Sequence, residues 1–339
     1  MVFTSALRSL DRISFLKLVY EKKYPPEVVE ALLTSYRKSS NRQFESGWRA
    51  FQNWLPIDTE RVTKSLFLSF MVSLKNKLSY KTALSYRNDL RIPLEEAFQI
   101  QTTDKEFDLI AKSNFLHNPP RQKIVPSWNL DNALNSLLSK RFLEDLPKVQ
   151  GFLAVLFLTA VATGNRSSEL ANLDKSSISF APKNSSVTIA ALPNFRYKNE
   201  RASRSPPNIV IPALESNNEN RILCPVLALK FLLEKIPFPK KPHVFCNPET
   251  GDSLNTSTLS FWLCKAINWL LPDVIPKAHE VRKNAYSLAW ARGIPMETIT
   301  KQGFWSSSSV FIKRYLSKPS STSIKMDLCF SFKLNFLMQ

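Results

Sequence analysis

Only three histidines occur among 339 residues, His117, His243 and His279. The four cysteines, Cys224, Cys246, Cys264 and Cys329, form no CxxC pair. No metal-ligand cluster can be read from groups so widely separated, so no metal is expected. Scattered cysteines in a long chain argue for reduced thiols in a cytosolic or nuclear setting. Long apolar runs are missing too. The longest, "GFLAVLFLTAVATG" at 151–164, is too short to span a bilayer and reads as a buried helix. The opening stretch "MVFTSALRSLDRISF" carries Arg8, Asp11 and Arg12 where a secretory signal needs an apolar core. A protein that is neither secreted nor membrane-bound is expected. There is no P-loop and no internal repeat.

Acidic residues are also in short supply. There are 28 of them against 46 lysines and arginines, a formal net charge of +18. Such an excess points to a polyanionic partner, most often nucleic acid and less often an anionic membrane surface. It is uneven. Residues 1–118 hold 18 basic and 13 acidic side chains, a net +5, which leaves 28 basic and 15 acidic side chains, a net +13, for residues 119–339.

What is present begins with helical periodicity. Segments 25–36, 39–55, 59–74, 78–90 and 104–115 repeat apolar residues at helical spacing. In the second of these, Phe44, Trp48, Phe51 and Leu55 follow a Ser/Asn cap. Lys38, Arg42, Arg49, Lys75, Lys77, Lys81 and Arg87 fall on or between these helices. As a set they suit a helical domain, 1–118, that clasps a duplex. "LHNPPRQKIVPSWNL" (116–130) reads as an exposed, proline-rich linker. Beyond it a helix starts at Ser127, and an apolar helix occupies 147–163. Two strands are expected at 185–198 and 205–214, bracketing the basic turn "NERASR". Helices resume at 224–236, 254–271 and 279–293, then a short one after Pro295. The expected class is mainly α with a small antiparallel β-sheet, in two domains, 1–118 and 119–339.

Four places could carry chemistry. In "ATGNRSSELANL" (162–173), Arg166 opens a short helix, and Glu169 is spaced to orient it or to cap the turn. Lys198 ends one expected strand and faces the basic turn. His279 and Arg282 share one helical face at i and i+3. In "GFWSSSSVFIKRYLS", Trp305 precedes a serine run and Tyr315 lies on the helix that follows.

Taken in order, Arg, Lys, His-x-x-Arg, Trp and Tyr over this span resemble the signature of the tyrosine recombinases, the phage-integrase-like family. "TGNRSSEL" is similar to the family's TG-x-R-x-x-E-L box. "HEVRKNAYSLAWARGIPMETITKQGFWSSSSVFIKRYL" is similar to its second box in spacing. The flavour is that of DIRS-like retrotransposon recombinases, through Lys198-Asn199, "PPNIVIPAL" (206–214), "CPVLALKFLLE" (224–234) and "HEVRK" (279–283).

The resemblance implies a two-domain C-shaped clamp on double-stranded DNA and a homo-oligomer, a tetramer on paired sites, in the nucleus if the source is eukaryotic and otherwise in the cytoplasm. It implies site-specific recombination through a 3′-phosphotyrosyl intermediate, without cofactor. Tyr315 would be the nucleophile. Its phenol, with an ordinary pKa near 10, needs a proton acceptor and a stabilised phosphate. Arg166 and Arg282 would contact the non-bridging oxygens with forked donors. His279 would be the general base or a phosphate hydrogen-bond partner, and Lys198 the general acid for the leaving 5′ oxygen. Trp305 would pack near the tyrosine and donate its indole N–H. Lys38, Arg42, Arg49, Lys81, Arg87, Arg201, Arg204 and Lys283 are the expected DNA contacts. A catalytically inactive, transposon-derived DNA-binding protein and a type IB topoisomerase are the alternatives.

Overall fold

Short polar side chains set many of the element boundaries in the computed structural model. It describes residues 2–75, 77–119, 128–200, 203, 205, 208–214, 221–235 and 241–314. The fold is mainly helical with one small antiparallel sheet. The chain divides into two units, Met1–Lys123 and Ile124–Gln339.

The first unit contains α1 (Val2–Ser9), α2 (Arg12–Glu21), α3 (Pro26–Thr34), α4 (Lys38–Trp54), α5 (Lys64–Ser73), α6 (Tyr80–Phe98) and α7 (Lys105–His117). The Asp11 carboxylate caps α2, accepting the N–H groups of Ile13 and Ser14, each at 3.0 Å. The Thr63 hydroxyl accepts the Leu66 N–H at 3.2 Å. That cap starts α5 at Lys64 rather than near the expected 59. Helix α6 runs beyond the expected 90, through Pro93, to a left-handed Gln99. Leu90 and Leu94, both fully buried, outweigh the hydrogen bond that the proline forgoes.

Aromatic rings dominate this unit's core. Phe15, Trp48, Phe51, Phe67, Phe70 and Phe107 are essentially inaccessible. The Trp48 indole N–H donates to the Leu10 carbonyl at 2.9 Å, so the ring is buried without an orphaned donor. Helices α4 and α6 pack tightly at Gly47, where a Cβ would stand 2.8 Å from Asp89 Cβ. Asp89 is itself buried. It accepts from Gln43 Nε2 at 3.4 Å, and its backbone carbonyl accepts from the buried Arg12 Nε at 3.3 Å. Burial pushes the Asp89 carboxyl up to about 6, with Gln43 and Arg12 partly offsetting it.

The second unit begins with α8 (Leu130–Leu138), α9 (Lys148–Thr163) and α10 (Ser167–Leu170). Next come β1 (Ser179–Phe180), β2 (Ser186–Ile189) and β3 (Ile209–Pro212). It continues with α11 (Pro225–Lys235), α12 (Thr256–Leu270), α13 (Ala278–Ala291), α14 (Met296–Gln302) and α15 (Ser308–Arg314). Helix α9 is the hub. Residues 151–160 are all buried, and α11, α12 and α13 pack around it. Gly151 lets α11 close in, since a Cβ there would lie 2.9 Å from the Phe231 ring.

The sheet order is β1-β2-β3, antiparallel throughout, with Ser186 opposite Pro212 and Ile189 opposite Ile209. Two sequence expectations change here. The first strand, expected to run to Lys198, ends at Ile189. The chain then leaves the sheet, with the Leu192 N–H donating to the Asn172 carbonyl at 2.8 Å just before Pro193. Lys198 therefore lies on a turn, not at a strand end. β1 was not foreseen, because two residues carry no readable period.

A smaller apolar cluster, Tyr286, Ala289, Ile299, Trp305 and Phe311, joins α13, α14 and α15. Among the described residues, Cys224, Cys246 and Cys264 are free thiols, and Cys329 lies outside them. No described helix is long and apolar enough to cross a membrane.

Candidate active site

Two glycines and one buried arginine organise this site. Gly164 ends α9 in the left-handed region, at φ +58°. A Cβ there would meet the Tyr286 ring at 2.2 Å. At Gly303 a Cβ would meet the Trp305 ring at 2.0 Å. Only glycine fits either place without displacing an aromatic ring. The Arg282 guanidinium, on α13, donates to both glycine carbonyls through its two terminal nitrogens. It also lies 4.4 Å from the Trp305 ring centre and 5.3 Å from that of Tyr286. One buried charge thus ties the end of α9 to the turn after α14, 118 residues away from Gly164 and 21 from Gly303. The Arg282 side chain is 3% exposed and is turned toward main-chain carbonyls.

Arg166 sits at the N-cap of α10. Its backbone N–H donates to Glu169 Oε2 at 2.8 Å, and its guanidinium donates to Glu169 Oε1. Glu169 is buried and also stands 3.8 Å from Arg282. One carboxylate therefore lies between two guanidiniums and leaves the cluster with an excess positive charge. Pairing is required for a buried carboxylate to remain ionised. Arg166, with 20% of its side chain accessible, is the more exposed of the two arginines.

The Lys198 turn is attached to the same place. Asn199 Nδ2 donates to the Phe304 carbonyl at 2.7 Å. The Tyr197 and Phe304 rings meet edge-on, 6.0 Å apart. Lys198 itself is exposed. Phe304 has φ +49°, rare for a bulky side chain. Its neighbour Trp305 is 1% exposed, packed on Tyr286 at 4.7 Å and Phe311 at 5.0 Å.

His279 is exposed on the first turn of α13, one turn before Arg282. Glu280 fixes that turn. Its Oε2 accepts the Lys277 N–H and the Trp128 indole N–H, both at 3.1 Å. Lys283 is half-buried on the same helix. Two tyrosines border the cluster. Burial, followed by the Glu169 and Glu200 carboxylates, pushes Tyr197 up to about 12. Burial raises Tyr286 as well, and its hydroxyl donates to the Thr163 carbonyl at 3.2 Å. Neither is suited to act as a nucleophile near neutral pH.

Arg166, Glu169, Arg282 and Trp305 are thus brought together, with the Lys198 turn latched beside Trp305 and His279 one helical turn away. Tyr315, Arg201 and Arg204 lie outside the described residues, and α15 ends at Arg314. In the first unit, Lys38, Arg42, Arg49 and Lys81 are exposed on α4 and α6. Arg49 pairs with Glu45 at 3.0 Å. Arg87 is mostly covered and bonds Asp108 at 2.9 Å, tying α6 to α7. Sequence reasoning gave no role to Gly164, Gly303, Asn199 or Tyr286. Scarcity was the available signal for the first two, since the chain has only six glycines.

No protein-family model and no curated protein matches the chain by sequence. Solved structures do match. A lambda integrase (75-356) dimer bound to a COC′ core site superposes with a TM-score of 0.57 at 15% identity, over 89% of this chain and 96% of that one. A Tn1549 transposon integrase in complex with a circular intermediate DNA gives 0.58 at 17% identity, over 90% and 96%. A XerH site-specific recombinase bound to a palindromic difH substrate, a post-cleavage complex, gives 0.55 at 16%, over 88% and 79%. The chain shares the fold of these integrases and recombinases along most of its length.

Proposed function

We propose that this chain is a tyrosine recombinase, which breaks and rejoins double-stranded DNA through a 3′-phosphotyrosyl link. The observation that carries this reading is the convergence of Arg166, Glu169, Arg282 and Trp305, beside the latched Lys198 turn. That convergence sits within a fold shared with integrases and recombinases solved on DNA. The arrangement suits phosphoryl transfer. Arg166 is the accessible cation that meets the scissile phosphate. Arg282 adds its charge from beneath, where the low-dielectric surroundings strengthen its effect. Tyr315 attacks phosphorus, His279 takes its proton or bonds the phosphate, and Lys198 protonates the leaving 5′ oxygen.

By the same reading the two units clamp the duplex, with the exposed bases of α4 and α6 on its backbone, and protomers pair as a tetramer on two sites. The sequence boxes favour a DIRS-like transposable element as the origin and the nucleus as the place of action. A library of nicked duplexes of varied sequence tests the chemistry. Nicked sites trap the covalent adduct, which denaturing electrophoresis resolves and sequencing of the bound DNA identifies. The wild-type chain is expected to form an adduct and Tyr315→Phe to form none. An adduct that survives Tyr315→Phe removes Tyr315 from the role. Binding without any adduct from the wild type points to an inactive DNA-binding protein.

A further inference from the structure

We infer that Asn199 is a positioning residue, which holds the general-acid lysine turn against the strained Phe304 turn that leads toward the nucleophile. The inference rests on the strand-cleavage reading above and adds a residue to it. Two consecutive carbonyls of the turn after α14 are each held by a different element. The buried Arg282 holds Gly303, and Asn199 holds Phe304 from the Lys198 turn, across 105 residues.

A phenylalanine in the left-handed region is strained and persists only where its surroundings over-determine it. Here the determinants are visible. The Asn199 amide takes the carbonyl, the Tyr197 ring packs on the Phe304 ring, and Trp305 is sunk in its own cluster. Tyr197 is in turn fixed, its N–H donating to Glu200 Oε2 at 2.8 Å. Lys198 lies between Tyr197 and Asn199, the two residues that grip Phe304. Its side chain is exposed and makes no hydrogen bond or ion pair among the described residues. Its backbone is set by its neighbours, and Asn199 supplies a directed bond from the turn to Phe304.

The step in question can be written in full. The Tyr315 oxygen forms a bond to phosphorus while the bond from phosphorus to the 5′ oxygen breaks. The phenolic proton passes to His279. The departing 5′ oxygen takes a proton from the Lys198 ammonium and leaves as a hydroxyl. A misplaced lysine slows only this last transfer. If sulfur replaces the bridging 5′ oxygen, the thiolate departs without needing the proton.

The experiment compares Asn199→Ala with wild type on the nicked duplex recovered above, in oxygen and bridging-sulfur forms. On oxygen, Asn199→Ala is expected to slow adduct formation by about 10- to 100-fold, at or below the usual worth of a general acid. On sulfur, it is expected to return to within about threefold of wild type, the two rates differing by less than a hydrogen bond's worth. Lys198→Ala should show the same rescue, and Tyr315→Phe none. Equal slowing on both substrates marks Asn199 as merely structural and overturns the inference, as does wild-type speed on oxygen. Either result leaves strand cleavage standing. Absence of any wild-type adduct, with oxygen or with sulfur, overturns both.

Discussion

At Asp89 a carboxylate is folded into the contact between α4 and α6, one side bounded by Gly47. Its carboxyl is raised from 3.8 to about 6 in the folded chain. Between those values the folded state holds a proton that the unfolded state has released. The contribution of Asp89 to stability is therefore greatest below about pH 4, falls as pH rises through the window and levels off above about pH 7. Asp89→Asn keeps the shape and removes the titration. It should stabilise the full chain to urea by about 2 kcal/mol at pH 8. At pH 5 the gain should be about half as large, and at pH 3, where Asp89 is protonated in both the folded and the unfolded chain, it should vanish. An equal gain at all three pH values would mean that charge is not the cause. Nothing in the sequence pattern distinguishes Asp89 from a surface aspartate. Its neighbours Asn88 and Leu90 fit a helix either way, and only the packing of α4 on α6 decides its burial.

At the scale of elements, the end of α9 is specified by Gly164 together with Tyr286 on α13. Gly164→Ala meets two penalties, a left-handed backbone worth about 1–2 kcal/mol and a ring collision. The variant should lose about 3 kcal/mol or more of stability. Adding Tyr286→Ala removes the collision but not the backbone strain. The double variant should thus be less damaged than the sum of the singles, a coupling that thermal denaturation of the four proteins would reveal. Helix positions were legible in the sequence because apolar periodicity and caps are local. α9, α12 and α13 fall within a few residues of expectation. The sheet was less so. A two-residue strand has no period, and the β-favouring aromatics Phe195 and Tyr197 lie past the point where Leu192 turns to Asn172. The family-like boxes pick out Arg166, Arg282 and Trp305, which the structure brings together, and His279, which lies one helical turn from Arg282. The contacts that organise it, Arg282 to Gly303 and Asn199 to Phe304, join residues whose pairing no local pattern announces.

For the whole molecule, charge is the quantity that matters. A net charge of +18 on 339 residues makes backbone phosphate the natural counterpart, and each neutralised phosphate releases condensed counterions. If six or more phosphates are engaged, duplex affinity should fall about 10³-fold or more between about 50 and 200 mM monovalent salt. Fluorescence anisotropy across that range measures the slope. A slope near zero would remove phosphate contact as the main source of affinity. Among the first unit's candidates, Arg87 should matter least to that slope, since Asp108 already pairs it.

Helix α9 has a further consequence, for synthesis. Its core residues are buried by helices that lie downstream, of which α12 begins only at Thr256. Translation at 5–20 residues per second leaves α9 waiting on the order of 5–20 s for that cover. A helix whose apolar surface faces every direction has no polar side to turn outward meanwhile. The emerging chain is therefore a natural client for a holding chaperone, and its yield on overproduction depends on how fast the later helices arrive.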